Sequence, residues 1–145
     1  MSEVERARFL AEERIVTCAT IGPNGRPHLM PLWYVVDAGL VTAWTFAKSQ
    51  KVRNLERTPE ATLQVEAGDA YHELRGVMME CDVEMIHDLE TITTLGVRIL
   101  MRYAPGASAG DVRPNVDRQA PKRVAMKFHP TRIVTWDHRK LGGRY

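Results

Sequence analysis

Ile15-Val16-Thr17-Cys18-Ala19-Thr20-Ile21, Gly22-Pro23-Asn24-Gly25 and Arg26-Pro27-His28-Leu29-Met30-Pro31-Leu32-Trp33-Tyr34-Val35-Val36 together decide the architecture. A β-branched run, a Gly-Pro-Asn-Gly turn and a second apolar run predict a tight antiparallel hairpin, residues 15–21 against 27–36. Pro31 has no N–H to give to a ladder, so it belongs at an edge, a bulge or a gap facing a ligand. Asp37-Ala38-Gly39 is a second turn and Leu40–Phe46 a third strand. The sheet thus begins as a meander.

Before the hairpin, Ser2-x-x-Glu5 is a capping box, and Val4, Ala7, Leu10 and Ala11 share one helical face, which predicts a helix over about 3–13. After it, 48–57 is polar and basic with Val52 and Leu55 three apart. This predicts a short helix that starts after Ser49 and stops before Thr58-Pro59. Residues 61–67 alternate apolar and polar as a half-buried strand. A long strand over 71–84 follows, whose apolar parity changes near Gly76 and suggests a bulge or barrel corner there. Asp88 caps a helix over 88–103 with Leu89, Ile92, Leu95, Ile99 and Tyr103 on one face. Residues 104–121, with Pro105, Gly106, Gly110 and Pro114, read as a long loop, and such loops are usually functional or mobile. The runs 124–129 and 132–136, separated by Pro130, are the last strands, and 137–145 is a polar, basic tail. Six or seven strands with short turns and few helices predict a mostly-β fold with peripheral helices, a small closed or nearly closed antiparallel barrel.

The 145 residues suit one domain, and 44% hydrophobic with 26% charged residues is enough for a core without staples. A net charge of +2, without a basic stripe carrying interleaved aromatics, argues against nucleic acid. Cys18 and Cys81 lie in apolar strand-like runs and read as buried thiols rather than as one disulfide. The charged start Met1-Ser2-Glu3-Val4-Glu5-Arg6 resembles no secretory leader, and no apolar run approaches the ~20 residues of a membrane span. A cytoplasmic location is the expectation.

Lys48-Ser49-Gln50-Lys51-Val52-Arg53-Asn54 places three cations at a helix start, where free N–H groups and the helix dipole favour an anion. The run is either a phosphate grip or a solvated basic turn. Trp33 and Trp44 flank the 37–39 turn on adjacent strands and either fill a core or wall a flat ring system. Trp136-Asp137-His138-Arg139-Lys140 either closes a barrel mouth, its own or a partner's, or lies solvated. The histidines His28, His72, His87, His129 and His138 show no metal-ligand spacing, and no phosphate-loop, dinucleotide or nucleophile-elbow motif is present.

The order of these elements resembles the split β-barrel flavin and deazaflavin oxidoreductases related to pyridoxamine-phosphate oxidase, and within them the actinobacterial branch that uses coenzyme F-420. The resemblance rests on four stretches: 19–27, Pro31-Leu32-Trp33-Tyr34, 48–55 and 136–141. It implies a six-stranded antiparallel Greek-key split barrel that dimerises, with two cofactor sites at the subunit interface and a small-molecule substrate. Carried over by position, Lys48, Ser49 and Lys51 would hold the cofactor phosphate and Asn54 would support their loop. Met30, Pro31, Leu32 and Trp33 would border the ring system. Trp44, Thr45, Phe46 and Ala47 would line the adjacent strand, and Trp136, His138 and Arg139 would approach from the C-terminal end. Relatives of the oxidase type usually carry an arginine in the strand that here reads Val41-Thr42-Ala43-Trp44-Thr45. Its absence favours F-420 over FMN. The resemblance then implies hydride transfer to an unsaturated substrate, with Tyr34 and His138 as proton donors by chemistry alone. A non-catalytic carrier of F-420 or flavin and an FMN- or haem-binding relative are the competing expectations.

Overall fold

The computed structural model describes residues 1–142, so the last three residues of the basic tail lie outside the described residues. Helix α1 (Glu3–Glu12) starts on the expected box: the Ser2 hydroxyl accepts from the Glu5 N–H, and the Ser2 N–H donates to the Glu5 carboxylate. Strands β1 (Val16–Ile21) and β2 (Pro27–Leu32) form the first hairpin, and β3 (Val35–Asp37) with β4 (Leu40–Phe46) the second. Helix α2 (Gln50–Arg57) leads to β5 (Glu60–Ala67) and β6 (Arg75–Ile86). Helices α3 (Leu89–Tyr103) and α4 (Ala109–Gln119) precede the long strand β7 (Arg123–Asp137). No helix among the described residues is long and apolar enough to cross a membrane.

All seven strands form one antiparallel sheet in the order β2-β1-β5-β6-β7-β4-β3. Strands β2 and β3 are its two edges, yet only Trp33-Tyr34 separates them in the chain. The sheet must therefore curl until its edges meet, and the result is the split barrel. Phe9, Val16, Leu63, Val65, Val77, Met126 and Phe128 fill the inside. A second apolar cluster, Trp44 with Ile92, Leu95, Ile99, Val116 and Ala125, packs α3 and α4 against the outside of β4 and β7. Both cysteines are buried and unbridged, and burial pushes each thiol up to about 12.

The structure differs from the sequence expectation in four places. Residues 27–36 are two strands, because Tyr34 turns fully inward and its hydroxyl donates to the Leu10 and Glu13 carbonyls. With 123–137 forming a single strand, the described residues make seven strands, where the resemblance implies six. Strand β6 begins at Arg75 after a short 3-10 turn at Tyr71–Glu73, and its odd-numbered side chains from Val77 to Val83 are buried without a parity switch. Residues 123–137 are one strand. Its Thr131 is an extra residue opposite Glu80 and Cys81, and this bulge accommodates Pro130 beyond the stretch that β4 covers. Residues 104–121 contain α4, started by the Ser108 cap and docked through Val112 and Val116 despite Pro114. The expected edge position of Pro31 is met, since β2 pairs on one side only.

Gly76 serves close packing rather than a bulge. A Cβ there would lie 2.2 Å from the Trp136 ring. Gly76→Ala should therefore displace the indole and lower stability by about 2 kcal/mol. The denaturant midpoint should fall and tryptophan emission shift to the red. An unchanged midpoint would mean that the ring swings aside without cost.

Candidate functional site

The cleft lies where the barrel fails to close. Strand β3 covers β4 only over Leu40–Thr42, so residues 43–46 have no strand partner on that side. Across this gap stands the end of β2. Pro31, Leu32 and Trp33 from that end, Trp44 and Thr45 from β4, and Lys51 from α2 line a cleft of about 460 Å³. Leu100 of α3, Asn115 and Gln119 of α4 and Arg123 of β7 complete its wall.

Lys51 is the unusual member. It is 5% exposed, yet it ends in an ammonium group. Its Nζ donates to the Thr45 hydroxyl at 2.9 Å, and among the described residues no carboxylate pairs with it. Burial, with a smaller contribution from Arg123, holds its pKa below the ordinary lysine value. Helix α2 presents it by burying the face of Lys51, Val52, Asn54 and Leu55. Fully buried Asn54 locks that face: its Nδ2 donates to the Thr20 hydroxyl at 3.0 Å, and its Oδ1 accepts from Gln50 and Arg57. Ser49 caps α2, its hydroxyl accepting from the Val52 N–H at 3.5 Å.

The two indoles are held from behind. Trp33 stacks on Tyr103 with ring centroids 4.4 Å apart and planes within 9°. The Tyr103 hydroxyl donates to backbone carbonyls of Arg14 and Tyr34, so the end of α3 fixes this wall. Trp44 lies over Gly96, where a Cβ would come within 2.5 Å of the ring, and the Arg123 guanidinium sits over the indole, 4.7 Å from the ring centroid. Arg123 donates to Gln119 Oε1 at 2.5 Å, and Gln119 Nε2 donates to Asn115 Oδ1 at 2.8 Å. Burial holds the Arg123 pKa below its ordinary value.

Of the residues singled out in the sequence, Pro31, Leu32, Trp33, Trp44, Thr45 and Lys51 meet in this cleft. Exposed Met30, Phe46 and Lys48, and half-buried Ala47 and Ser49, flank it on the same segments without lining it. Trp136, His138 and Arg139 stand at the opposite end of β7 from Arg123, where Arg139 pairs with Asp137 and His138 Nδ1 meets the Tyr71 carbonyl at 2.9 Å. They do not line the cleft of their own chain. Sequence reasoning missed Leu100, Asn115, Gln119 and Arg123. One signal was available: Ser108-x-x-Asp111 repeats the capping pattern of Ser2-x-x-Glu5, and it would have placed Asn115 and Gln119 four apart on one helix.

Two cations, a hydroxyl, two amides and two indoles form a donor set suited to a ligand with a flat ring and an anionic group, and a flavin or deazaflavin phosphate fits that chemistry. No cluster of His, Cys, Asp and Glu among the described residues could hold a metal. No curated protein matches the chain. A conserved hypothetical protein of Mycobacterium tuberculosis is similar over 100% of this chain and 90% of its own, at 42% identity and a TM-score of 0.92. An F420 reductase shares the fold at 22% identity and a TM-score of 0.68, over 88% of this chain and 94% of its own. A FAD-binding protein of Mesorhizobium loti shares it at 16% identity and a TM-score of 0.67, over 93% and 94%. The sequence profile described as pyridoxamine 5'-phosphate oxidase matches residues 3–137, a span that holds every residue of the cleft. The chain belongs to the pyridoxamine 5'-phosphate oxidase family, whose split-barrel fold it shares.

Proposed function

We propose that the chain is an oxidoreductase that binds coenzyme F-420 in the Trp33–Trp44 cleft and reduces an unsaturated small molecule. One observation carries this reading: Lys51 is a buried cation without a carboxylate, at the end of a cleft walled by indoles. Burying such a charge is unfavourable until an anion completes it. Lys51 would receive the cofactor phosphate, with Lys48 and Ser49 beside it at the start of α2. Trp33, Trp44, Pro31 and Leu32 would border the ring system. Met30, Phe46 and Ala47 would extend that border at the cleft mouth. When bound, a reduced deazaflavin supplies hydride. The chain itself binds, orients and excludes water. Tyr34 does not serve as a proton donor in this reading, because its hydroxyl donates to the Leu10 and Glu13 carbonyls and burial pushes its pKa up to about 12. Solvent would deliver the proton.

A homodimer with the cleft at its interface belongs to this proposal. Leu29, Met30, Trp33 and Phe46 are exposed apolar side chains on β2, on the turn after it and at the end of β4, the segments that line the cleft, and a second copy would cover them. Trp136, His138 and Arg139 would then reach the site from the partner. Sedimentation of a monomer at micromolar concentration would remove this part.

FMN is the second reading, and Arg123 favours it. The arginine missing from β4 has a counterpart in space, since Arg123 stands opposite Phe46 on β7 and lines the same cleft. Parallel titrations of purified protein with F-420 and with FMN, followed by turnover on enones and quinones, decide between them. F-420 should bind at micromolar or tighter concentration and turn over. Tight FMN binding with no F-420 binding would select the second reading, and binding without turnover a carrier.

A further inference from the structure

We propose that Arg123 is the second anion-binding side chain of the cleft, and that Gln119 is the positioning residue that holds it for a phosphate shared with Lys51. This rests on the cleft's being a cofactor site and deepens that reading.

Lys51 and Arg123 come from distant parts of the chain, yet they line one cleft. The polar contacts of both are neutral: the Thr45 hydroxyl for one, the Gln119 amide oxygen for the other. Among the described residues neither has an acidic partner. Two like charges left facing a partly desolvated space repel each other, and their mutual effect already contributes to the lowered pKa of Lys51. A ligand anion would neutralise both while they keep their charge. A guanidinium carries five N–H donors in a planar fork, and Gln119 uses one side of it. The remaining donors suit two oxygens of a phosphate, with the Lys51 ammonium as a point charge on the third.

The chain Asn115–Gln119–Arg123 fixes the geometry. Because Gln119 Nε2 is spent on Asn115, its Oε1 is left to face Arg123. Helix α4 is thereby part of the phosphate site, although it carries no charge into it. The competing role for Arg123 is to cover the Trp44 ring.

Fluorescence titration with inorganic phosphate, against sodium chloride at matched ionic strength, tests this independently of the cofactor. The wild type should show a saturable change. Arg123→Met and Lys51→Met should each weaken phosphate at least about tenfold, while Arg123→Lys retains part of the affinity. Gln119→Glu should grip Arg123 more firmly and yet lose phosphate, since the new carboxylate takes the ligand's place. A merely structural role would be preserved by that change. With Arg123→Met, FMN should weaken while riboflavin, which has no phosphate, should not. No wild-type response beyond chloride, or a wild-type response in Arg123→Met, would overturn the proposal. So would equal losses of FMN and riboflavin, which assign Arg123 to packing on Trp44. A wild type that binds phosphate but neither F-420 nor FMN would remove the cofactor reading and leave Arg123 an anion ligand.

Discussion

Replacing Lys51 by methionine should weaken a phosphate-bearing cofactor by about a hundredfold and leave the cofactor-free protein as stable as before, or more so. The two effects have opposite signs for one reason. A charge-assisted hydrogen bond to phosphate contributes up to about 3 kcal/mol, roughly two powers of ten in affinity. Without the ligand, the same ammonium is a buried charge with one neutral partner, and an apolar chain of similar length removes that desolvation cost. The pH dependence follows. The folded pKa of Lys51 is lowered below 10.5, so between the lowered value and the unfolded one the unfolded chain binds more protons. Stability relative to the methionine variant should rise with pH through that window and be lowest below it. Chemical denaturation of both proteins across pH 7–11, together with a cofactor titration of each, measures all three effects. A methionine variant that binds as wild type would take the phosphate away from Lys51. A strongly destabilised one would show that its charge is compensated after all.

The largest loss of stability should come from Arg102→Met, about 3 kcal/mol. Helix α1 ends without side-chain caps of its own, and Arg102, from the end of α3, supplies them. One of its nitrogens donates to the carbonyls of Leu10, Ala11 and Glu13 and the other to that of Tyr34. The cation thus stands at the C-terminus of α1, where the helix dipole favours it, and its guanidinium lies 4.5 Å from the Tyr34 ring. Methionine leaves the Ala11 carbonyl to find water, strips the charged donor from those of Leu10, Glu13 and Tyr34, which keep only the Tyr34 and Tyr103 hydroxyls, and removes the cation from the helix end and the Tyr34 ring. At roughly 2–4 °C per kcal/mol for a chain of this size, the melting temperature should drop by about 6–12 °C. Tyr103 and the Trp33 stacked on it share this junction, so cofactor affinity should fall as well. A melting temperature within about 2 °C of wild type would show that the carbonyls are solvated at little cost.

The first hairpin, α1 and α2 were legible in the sequence because each is decided locally. Gly22-Pro23-Asn24-Gly25 is a turn whatever surrounds it, and Ser2 and Ser49 cap the helices that follow them. The misread elements are those where tertiary packing overrides local chemistry. Pro114 and Gly110 suggest a loop, but Val112 and Val116 dock a helix through them. Pro130 suggests a break, but a bulge at Thr131 absorbs it. Nothing in Trp33-Tyr34 forecasts a corner, because both residues favour strands, and the corner is set by the carbonyls that the Tyr34 hydroxyl finds on α1. The cleft divides the same way. Lys51 could be picked out within its motif and the tryptophans by their spacing. Arg123 could not, since only the β4–β7 register brings it opposite Phe46.

That register also sets an order of events. Strand β4 reaches the sheet only through β7, pairing Thr42 with Lys127 and Phe46 with Arg123, while β1, β2, β5 and β6 can pair among themselves. Contacts between stretches so far apart in the chain close a large loop and form slowly. The hairpin of β3 and β4 has no other strand to pair with than β7, which comes last in the chain. The cleft therefore has no complete wall until β7 is paired with β4, and a ligand of the cleft has its full set of partners only in the assembled barrel.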